Sequence, residues 1–477
     1  MKRAAIFFIA LTIPAGLPSQ EATDPGTTRR PNILFIAIDD LNDWIGVTQG
    51  HPQSQTPNLN RLAGRGVLFR NAYCAAPACN PSRAALMTGI APHQSGVYLN
   101  EQPWRKALPD AVTIPQYLRK GGYTVKGSGK IYHGAYPDPR SWDEFFPSKR
   151  QQKPRDPLPK QRPINGIANT RHFDWGPVNV KDDRMGDAKV ANWVVEQLGK
   201  KHQQPLFLAC GFYRPHLPWY VPKKYFDRFP LDEIQLPKVF GDDLQDIPEA
   251  GKKMAKPGGD HRKVVKHGQW KQAVQGYLAS IAFTDTMLGR VLDALDASGQ
   301  SDNTVIVLWT DHGWNLGEKQ HWRKFALWEN TTRTPLMIIV PKGTPGLLEG
   351  TSKGTVCTRA VSLLDIYPTL VELCALKPKP GLAGRSLVPL LQDANAAWER
   401  PALTTQGRQN HALRNDRWRY IRYADGSEEL YDHQADPHEW RNLADESKHT
   451  NVKAQLSHWL PKTNAPDAPK RTRQKKK

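Results

Sequence analysis

The stretch Cys79-Asn80-Pro81-Ser82-Arg83-Ala84-Ala85-Leu86-Met87-Thr88-Gly89 puts a thiol, a fixed cation and a helix start side by side. Ala84 to Met87 are strong helix formers. Pro81 suits a first helical turn, where its missing N–H costs nothing. Cys79 is therefore expected just ahead of a helix N-terminus. That end carries unpaired N–H groups and partial positive charge, which suit sulfate or phosphate. Arg83, one turn in, adds a bidentate fork. A buried Cys beside an ordinary capped helix is the competing reading. Asp39-Asp40 ends the apolar run Asn32 to Ile38. Two adjacent carboxylates repel unless a cation lies between them, so metal binding competes evenly with helix capping. Asp311-His312-Gly313 ends a second such run, and alone it reads better as a polar turn after a strand. His216 sits in the Pro-flanked loop Arg214-Pro215-His216-Leu217-Pro218, where ligand contact and a structural role are matched alternatives.

These groups need elements that bring them together. Asn32 to Ile38, Pro205 to Cys210, Thr304 to Leu308 and Pro335 to Val340 are short apolar runs, the pattern of strands buried on both faces of a parallel sheet. Val67 to Tyr73 adds a strand leading to Cys79. Asp187 to Leu198 and Trp270 to Leu295 have helical spacing, and Val361 to Leu373 forms a helix in which Pro368 implies a kink or a late start. Ligands in open α/β sheets bind at the C-terminal ends of the strands, where Asp39, His216 and Asp311 fall. Residues 135–182 read as a long loop region flanking a cleft. From Pro401 the pattern changes to an antiparallel hairpin around Ala424-Asp425-Gly426-Ser427 and a final helix near Val452 to Leu460. The expected fold class is α/β: a large domain over 30–395 with a mostly parallel central sheet flanked by helices, and a smaller C-terminal α+β subdomain over 396–462 with an antiparallel sheet. A basic, solvated tail follows over 463–477.

The order Cys-x-Pro-Ser-Arg, followed by Thr88-Gly89, resembles the signature of the type I sulfatases. Asp311-His312-Gly313 after a strand resembles the same family and its alkaline-phosphatase-like superfamily. The resemblance spans most of the chain: Asp39-Asp40, the Cys79 motif, Lys130 and His133, His216, Asp311-His312 and Lys324 occur in the expected order. His312 and the run Gly313-Trp314-Asn315-Leu316-Gly317-Glu318 make it most similar to the iduronate-2-sulfatase branch. The resemblance implies that a formylglycine-generating enzyme oxidises Cys79 to formylglycine, whose hydrate is the nucleophile. It implies one Ca²⁺ held by Asp39, Asp40, Asp311 and His312, with residue 79 also reaching it. Imidazole is an unusual ligand for a hard cation, so Zn²⁺ or Mn²⁺ is the fallback. Arg83, Lys130 and Lys324 would neutralise the sulfate oxygens. His216 would donate the leaving-group proton, a role Lys324 could share, and His133 would take the proton from the remaining hydroxyl of residue 79. The implied substrate is a sulfate ester of a glycan, with a uronic acid 2-sulfate as one type. A phosphonate monoester or phosphodiester hydrolase of the same superfamily is the first alternative, and a non-catalytic glycan-binding protein the second. Specificity is expected in the loops over 134–182 and 230–269.

Composition supports a folded chain with many loops: 39% hydrophobic residues, fifteen Trp, forty Pro and thirty-six Gly in 477 residues. Five Cys exclude a disulfide scaffold, though Cys357 and Cys374 are close enough to pair. Lys2-Arg3 and the short apolar run Ala4 to Leu11 read as a signal peptide within residues 1–20, which points to a secreted or periplasmic protein. No later run is long enough to span a bilayer. The formal charge is +20, and +12 without Lys2, Arg3 and the six bases from Lys470 to Lys477. That balance favours polyanionic partners. Without a nucleic-acid motif, a sulfated glycan is the expected one and nucleic acid is not.

Overall fold

A computed structural model of the chain describes residues 30–168, 170 and 172–471. The expected signal peptide and the tail beyond Arg471 lie outside the described residues. Nine strands form the main sheet: β1 (Asn32–Asp39), β2 (Val67–Tyr73), β3 (Thr124–Gly129), β4 (Glu144–Phe146), β5 (Leu206–Pro215), β6 (Thr304–Thr310), β7 (Arg333–Ile339), β8 (Thr355–Cys357) and β9 (Val361–Ser362). Their order is β8-β2-β7-β6-β1-β5-β3-β4, with β9 also on β2. All pairings are parallel except those of β7, which runs antiparallel to both β2 and β6.

β1 shows why the run Ile33 to Ile38 forms a central strand. Leu34, Ile36 and Ile38 enter one core, under helices α2 (Gly186–Leu198) and α3 (Trp270–Ala297). Ile33, Phe35 and Ala37 enter the other, with Leu86 and Met87 of helix α1 (Cys79–Thr88) and with helix α4 (Ile366–Leu373). A strand covered on both faces has no use for alternating polarity. Pro368 falls in the first turn of α4, so the chain takes the late start rather than the kink. The parallel strands β6, β1, β5 and β3 are neighbours and end at one edge of the sheet. They deliver Asp311, Asp39, His216 and Lys130 there. β3 and β5 close up at that edge: Gly129 has φ +80°, and a Cβ on it would lie 1.9 Å from the Gly211 carbonyl oxygen.

The C-terminal unit is an antiparallel sheet of β10 (Ala402–Thr405), β11 (His411–Arg414), β12 (Trp418–Arg422) and β13 (Glu428–Asp432). A buried ionic network ties it to the main body. Glu329 accepts from Tyr73 of β2 at 2.9 Å, from Arg414 at 3.3 Å and from Arg419, while Glu439 meets His433 at 2.9 Å. Burial opposes the charge of Glu329, but His433, Arg414, Arg419 and Arg333 outweigh it and hold the carboxyl well below the usual glutamate range. A depressed carboxyl stabilises the fold above the unfolded pKa, about 4.3, and the contribution fades as pH falls through the folded value. Glu329→Gln should therefore cost about 3 kcal/mol at pH 7. Urea unfolding at pH 7 and pH 4 should show that penalty shrinking at the acid end.

Cys357 and Cys374 are both buried and unpaired, so the disulfide is not formed. The tail also differs from expectation over its first part. Residues 463–471 lie against the main body: the amides of Ala465, Ala468 and Arg471 donate to the carbonyls of His93, Gly96 and Glu101 at 2.8–2.9 Å. Tyr98 and Gln102 donate to the carbonyls of Ala465 and Ala468. Ala468 is buried, and a side chain on Gly96 would strike the Pro466 carbonyl. Small residues on both sides let two backbones meet, a signal that the surrounding charge obscures in the sequence.

Candidate active site

Helix α1 begins at Cys79 itself, with extended Ala78 as its cap, and all ten of its residues are buried. Its end is less open to an anion than expected, because the Asn80 amide already donates to Asn100 Oδ1 at 2.9 Å. The Asn80 side chain donates to the carbonyls of Leu99 and Gln102 and fixes that loop in turn. Around Cys79 Sγ stand Lys324 Nζ at 2.9 Å, His312 Nε2 at 3.4 Å, and Lys130 Nζ and Asp40 Oδ1 at 3.8 Å. Burial pushes the thiol above its ordinary pKa, although Lys130 and Lys324 pull the other way.

Asp39, Asp40, Asp311 and His312 are fully buried at the strand edge. Asp39 is bound by Lys130 and, at 2.9 Å, by Arg83 Nη2. Burial opposes its charge, but Lys130, His216, Arg83 and Lys324 hold it well below the carboxylate range. Asp40 takes Lys324 Nζ at 2.6 Å on Oδ1. Burial, joined by Asp39 and Asp311, pushes Asp40 up to about 7 against the pull of Lys324. Its Oδ2 is buried with no hydrogen-bond partner. The His312 ring lies with Nδ1 2.9 Å from the Gly313 carbonyl, which makes Nδ1 the protonated nitrogen. Nε2 is then bare, 3.3 Å from Asp40 Oδ1 and 3.4 Å from Asp311 Oδ2. Burial holds this ring neutral, with its pKa lowered to about 4. Donor atoms of Asp40, Cys79, Asp311 and His312 all lie within 4.8 Å of one another, and Asp39, Asp40 and His216 form a second such group.

Arg83 departs from the role expected of it. Its guanidinium donates to Asp311 Oδ2 and Asp39 Oδ1, both at 2.9 Å, and to the carbonyls of Lys130 and Ile131. Four of its donors are thus spent inside the protein, and it does not line the pocket. It braces two of the acidic residues instead of facing sulfate oxygens. Lys130 and Lys324 remain as the cations beside residue 79.

Cys79 forms the floor of a cavity of about 740 Å³ whose walls include Lys130, His133, Lys153, Tyr213, His216 and Lys324. His216 donates from Nδ1 to the Leu217 carbonyl at 2.6 Å, and Nε2 faces Asp40 Oδ2 at 3.7 Å. Burial, then Lys130 and Lys324, drive its pKa well below the ordinary histidine value. Acting as a proton donor therefore requires this ring to charge first. Burial and Lys130 lower His133 to about 3, which keeps it a neutral acceptor. Tyr213 was not singled out in the sequence, yet its ring lies 4.6 Å from the His216 ring and 3.6 Å from Lys153 Nζ. Its place beside Arg214-Pro215-His216 was the available signal. The 134–182 loop does reach the cavity, through Gly134, Arg150, Gln151, Gln152, Lys153 and His172. The 230–269 loop supplies none of the described lining residues. Its link is indirect, from Asp260 to the pocket residue Arg323 at 2.7 Å.

Residues 31–375 match the sulfatase family, and residues 317–465 match the N-sulphoglucosamine sulphohydrolase C-terminal family. The chain belongs to the sulfatase family. A sulfatase of Formosa agariphila is 41% identical over 91% of this chain and 87% of its own. The iduronate 2-sulfatase of Mus musculus is 30% identical over 73% of this chain and 69% of its own. Among solved structures, a 2-O GAG sulfatase superposes with a TM-score of 0.68 at 21% identity, covering 90% of each chain. The phosphonate monoester hydrolase of Agrobacterium radiobacter superposes with a TM-score of 0.71 at 24% identity, covering 90% of this chain and 94% of its own. These likenesses establish the alkaline-phosphatase-like fold. The sulfatase hydrolyses sulfuric esters, and none of its described helices is long and apolar enough to cross a membrane.

Proposed function

We propose that this sulfatase is exported, carries formylglycine at position 79, uses one Ca²⁺, and removes sulfate esters from a glycan of the uronic acid 2-sulfate type. The observation that carries the reading is the packing of residue 79 against Asp40, His312, Lys130 and Lys324 at the floor of a cationic pocket. The likeness to iduronate 2-sulfatase supports the substrate type, and the basic leader followed by an apolar run supports export.

The residues fit a hard divalent cation. Three carboxylates supply oxygen, His312 presents a bare Nε2 whose tautomer is set by Gly313, and Asp40 Oδ2 is a buried acceptor lacking a donor. Asp39, Asp40, Asp311 and His312 would hold the ion. When bound it supplies Lewis acidity at the sulfate group. Cys79, once oxidised by a formylglycine-generating enzyme, offers a hydrate hydroxyl as the sulfate acceptor. Lys130 and Lys324 bind and neutralise the sulfate oxygens. The negative charge of a bound sulfate ester raises the proton affinity of His216, which would then hold the proton for the departing alcohol, with Lys324 as the nearby second donor. Neutral His133 takes the proton from the other hydroxyl of residue 79, whose oxygen then re-forms the aldehyde C=O as the carbon–oxygen bond to the transferred sulfate breaks and sulfate leaves.

Two measurements test this. Mass spectrometry of tryptic fragment 71–83, from protein made with a formylglycine-generating enzyme, should show the aldehyde at position 79. Chelator treatment should cut turnover of an aryl sulfate by about 100-fold or more. Ca²⁺ should restore that turnover and, at a hundred times its Kd, stabilise the fold by about 2.7 kcal/mol. Activity indifferent to both chelator and Ca²⁺ sinks the metal assignment. Faster turnover of aryl phosphonates than of aryl sulfates would favour the phosphonate hydrolase alternative.

A further inference from the structure

Lys324 sits in a segment whose backbone is held in an unfavourable shape. Lys319, Gln320, Arg323 and Phe325 are all left-handed, with φ between 47° and 76°, and none of them is glycine. Such residues persist only where their surroundings fix them. Lys319 Nζ binds Asp243 at 2.5 Å and the Glu439 carbonyl, the Phe325 amide donates to the Pro77 carbonyl at 2.9 Å, and the Gly317 amide donates to the His321 carbonyl at 3.0 Å. His321 is the anchor that touches Lys324 itself. Its ring is buried, with Nε2 2.7 Å from the Lys324 carbonyl and Nδ1 2.8 Å from the Ala255 carbonyl. Ala255 ends the helix Glu249–Ala255, whose last carbonyls carry partial negative charge. Carbonyl oxygens only accept, and a neutral imidazole has one N–H. One of the two contacts therefore sets a nitrogen lone pair against a carbonyl oxygen unless the ring carries both protons. At the other end of the same lysine, Nζ reaches Cys79 Sγ at 2.9 Å and Asp40 Oδ1 at 2.6 Å.

Burial lowers the pKa of the His321 ring, the carbonyls of Ala255 and Lys324 raise it, Lys256 lowers it and Asp260 raises it, with a net shift downward. The second proton thus arrives in acid. The other titratable neighbours are committed elsewhere: Arg323 to Asp260 at 2.7 Å, Lys319 to Asp243, and His261 Nδ1 to the Trp322 indole at 3.2 Å. The Trp328 ring, 6.3 Å away, donates its indole N–H to Glu429.

We propose that His321 is a positioning residue for Lys324: its ring clasps the Lys324 backbone to the end of helix 249–255, and the clasp is complete only when both ring nitrogens carry protons. Acid then tightens the placement of the Lys324 ammonium beside residue 79, and the placement slackens as pH rises. This rests on the reading of Lys324 as a cation for the sulfate group. His321 does not line the pocket, so its effect runs through Lys324. The 230–269 loop gains a role by the same route, since it supplies the Ala255 carbonyl and Asp260.

The test compares the parent enzyme with His321→Gln, whose amide keeps a donor at every pH. For both proteins, kcat/KM on 4-nitrophenyl sulfate is measured at pH 5 and pH 7.5. Other titrating groups are common to the two and cancel in the ratio. The parent-to-variant ratio should be about tenfold larger at pH 5 than at pH 7.5, the worth of one hydrogen bond from a charged donor. A ratio that does not change with pH overturns the proposal. Affinity for inorganic sulfate, measured by calorimetry, should show the same trend, and equal affinities of parent and variant at pH 5 overturn the proposal too. That measurement needs no turnover, so a protein that hydrolyses no ester but shows the trend keeps the clasp and loses only the sulfatase reading. Nitrogen–proton NMR spectra of the histidine rings report the clasp directly. The His321 signal, identified by its absence from His321→Gln, should show both ring nitrogens protonated at pH 5 and one at pH 7.5. A single ring proton at pH 5 overturns the proposal whatever the kinetics. Should His321→Gln fail to fold, His321→Asn takes its place in each comparison.

Discussion

Cys79→Ala is expected to lower sulfate release from an aryl sulfate by at least about 10⁴-fold, the scale seen when an enzyme loses its nucleophile. The remaining parts, Lys130, Lys324 and the acidic cluster, can still bind sulfate, so the loss should fall on kcat more than on KM. The substitution should cost only about 1 kcal/mol, because it removes one sulfur from a site already open to the pocket. Cys79 is held by helix α1, whose cores and Asn80 bonds are untouched by the change. Thermal unfolding of parent and variant should therefore nearly coincide while activity disappears. Residual turnover above about 1% would mean that water, rather than residue 79, attacks the sulfur. A large drop in stability would instead make the loss of activity uninformative, and Cys79→Ser, which retains a polar atom of similar size, would then be the deciding variant.

The parts of the site read correctly in the sequence are those where one short stretch holds the whole cause. Ile33 to Ile38 has no polar residue, so it must be covered on both faces, and Asp39-Asp40 must then fall at a strand end. Cys79 to Gly89 contains its own helix formers and the left-handed Gly89 that ends the helix. What could not be read depends on partners far apart in the chain. Arg83 looks like an anion clamp until Asp39, Asp311 and two carbonyls are seen to occupy its donors. The pKa of His216 is lowered by burial and then by Lys130 and Lys324, more than eighty residues away in either direction. The segment over 463–471 reads as solvated because it runs into the basic stretch that starts at Lys470, yet its order comes from backbone bonds to 93–101 that any sequence of small residues could make. The 230–269 loop has the charge expected of a glycan contact, but its acid Asp260 is spent on holding Arg323.

Arg83→Met is expected to destabilise the fold by about 3–5 kcal/mol, because it leaves Asp39 and Asp311 buried without their common cation. Methionine fills much of the space, so the cost is electrostatic rather than a cavity. The partner comparison is Lys130→Met. Asp39 would then keep Arg83 at 2.9 Å, so the fold should suffer less, while kcat/KM should fall by about 100-fold or more for want of a cation beside residue 79. The two variants thus separate a residue that braces the acidic cluster from one that faces the substrate, although both touch the same carboxylate. Urea unfolding and kcat/KM on the same preparations decide it. The bracing role fails if Arg83→Met unfolds at the parent's midpoint. It also fails if raising Ca²⁺ restores its stability fully, since the ion would then be doing the work assigned to the guanidinium.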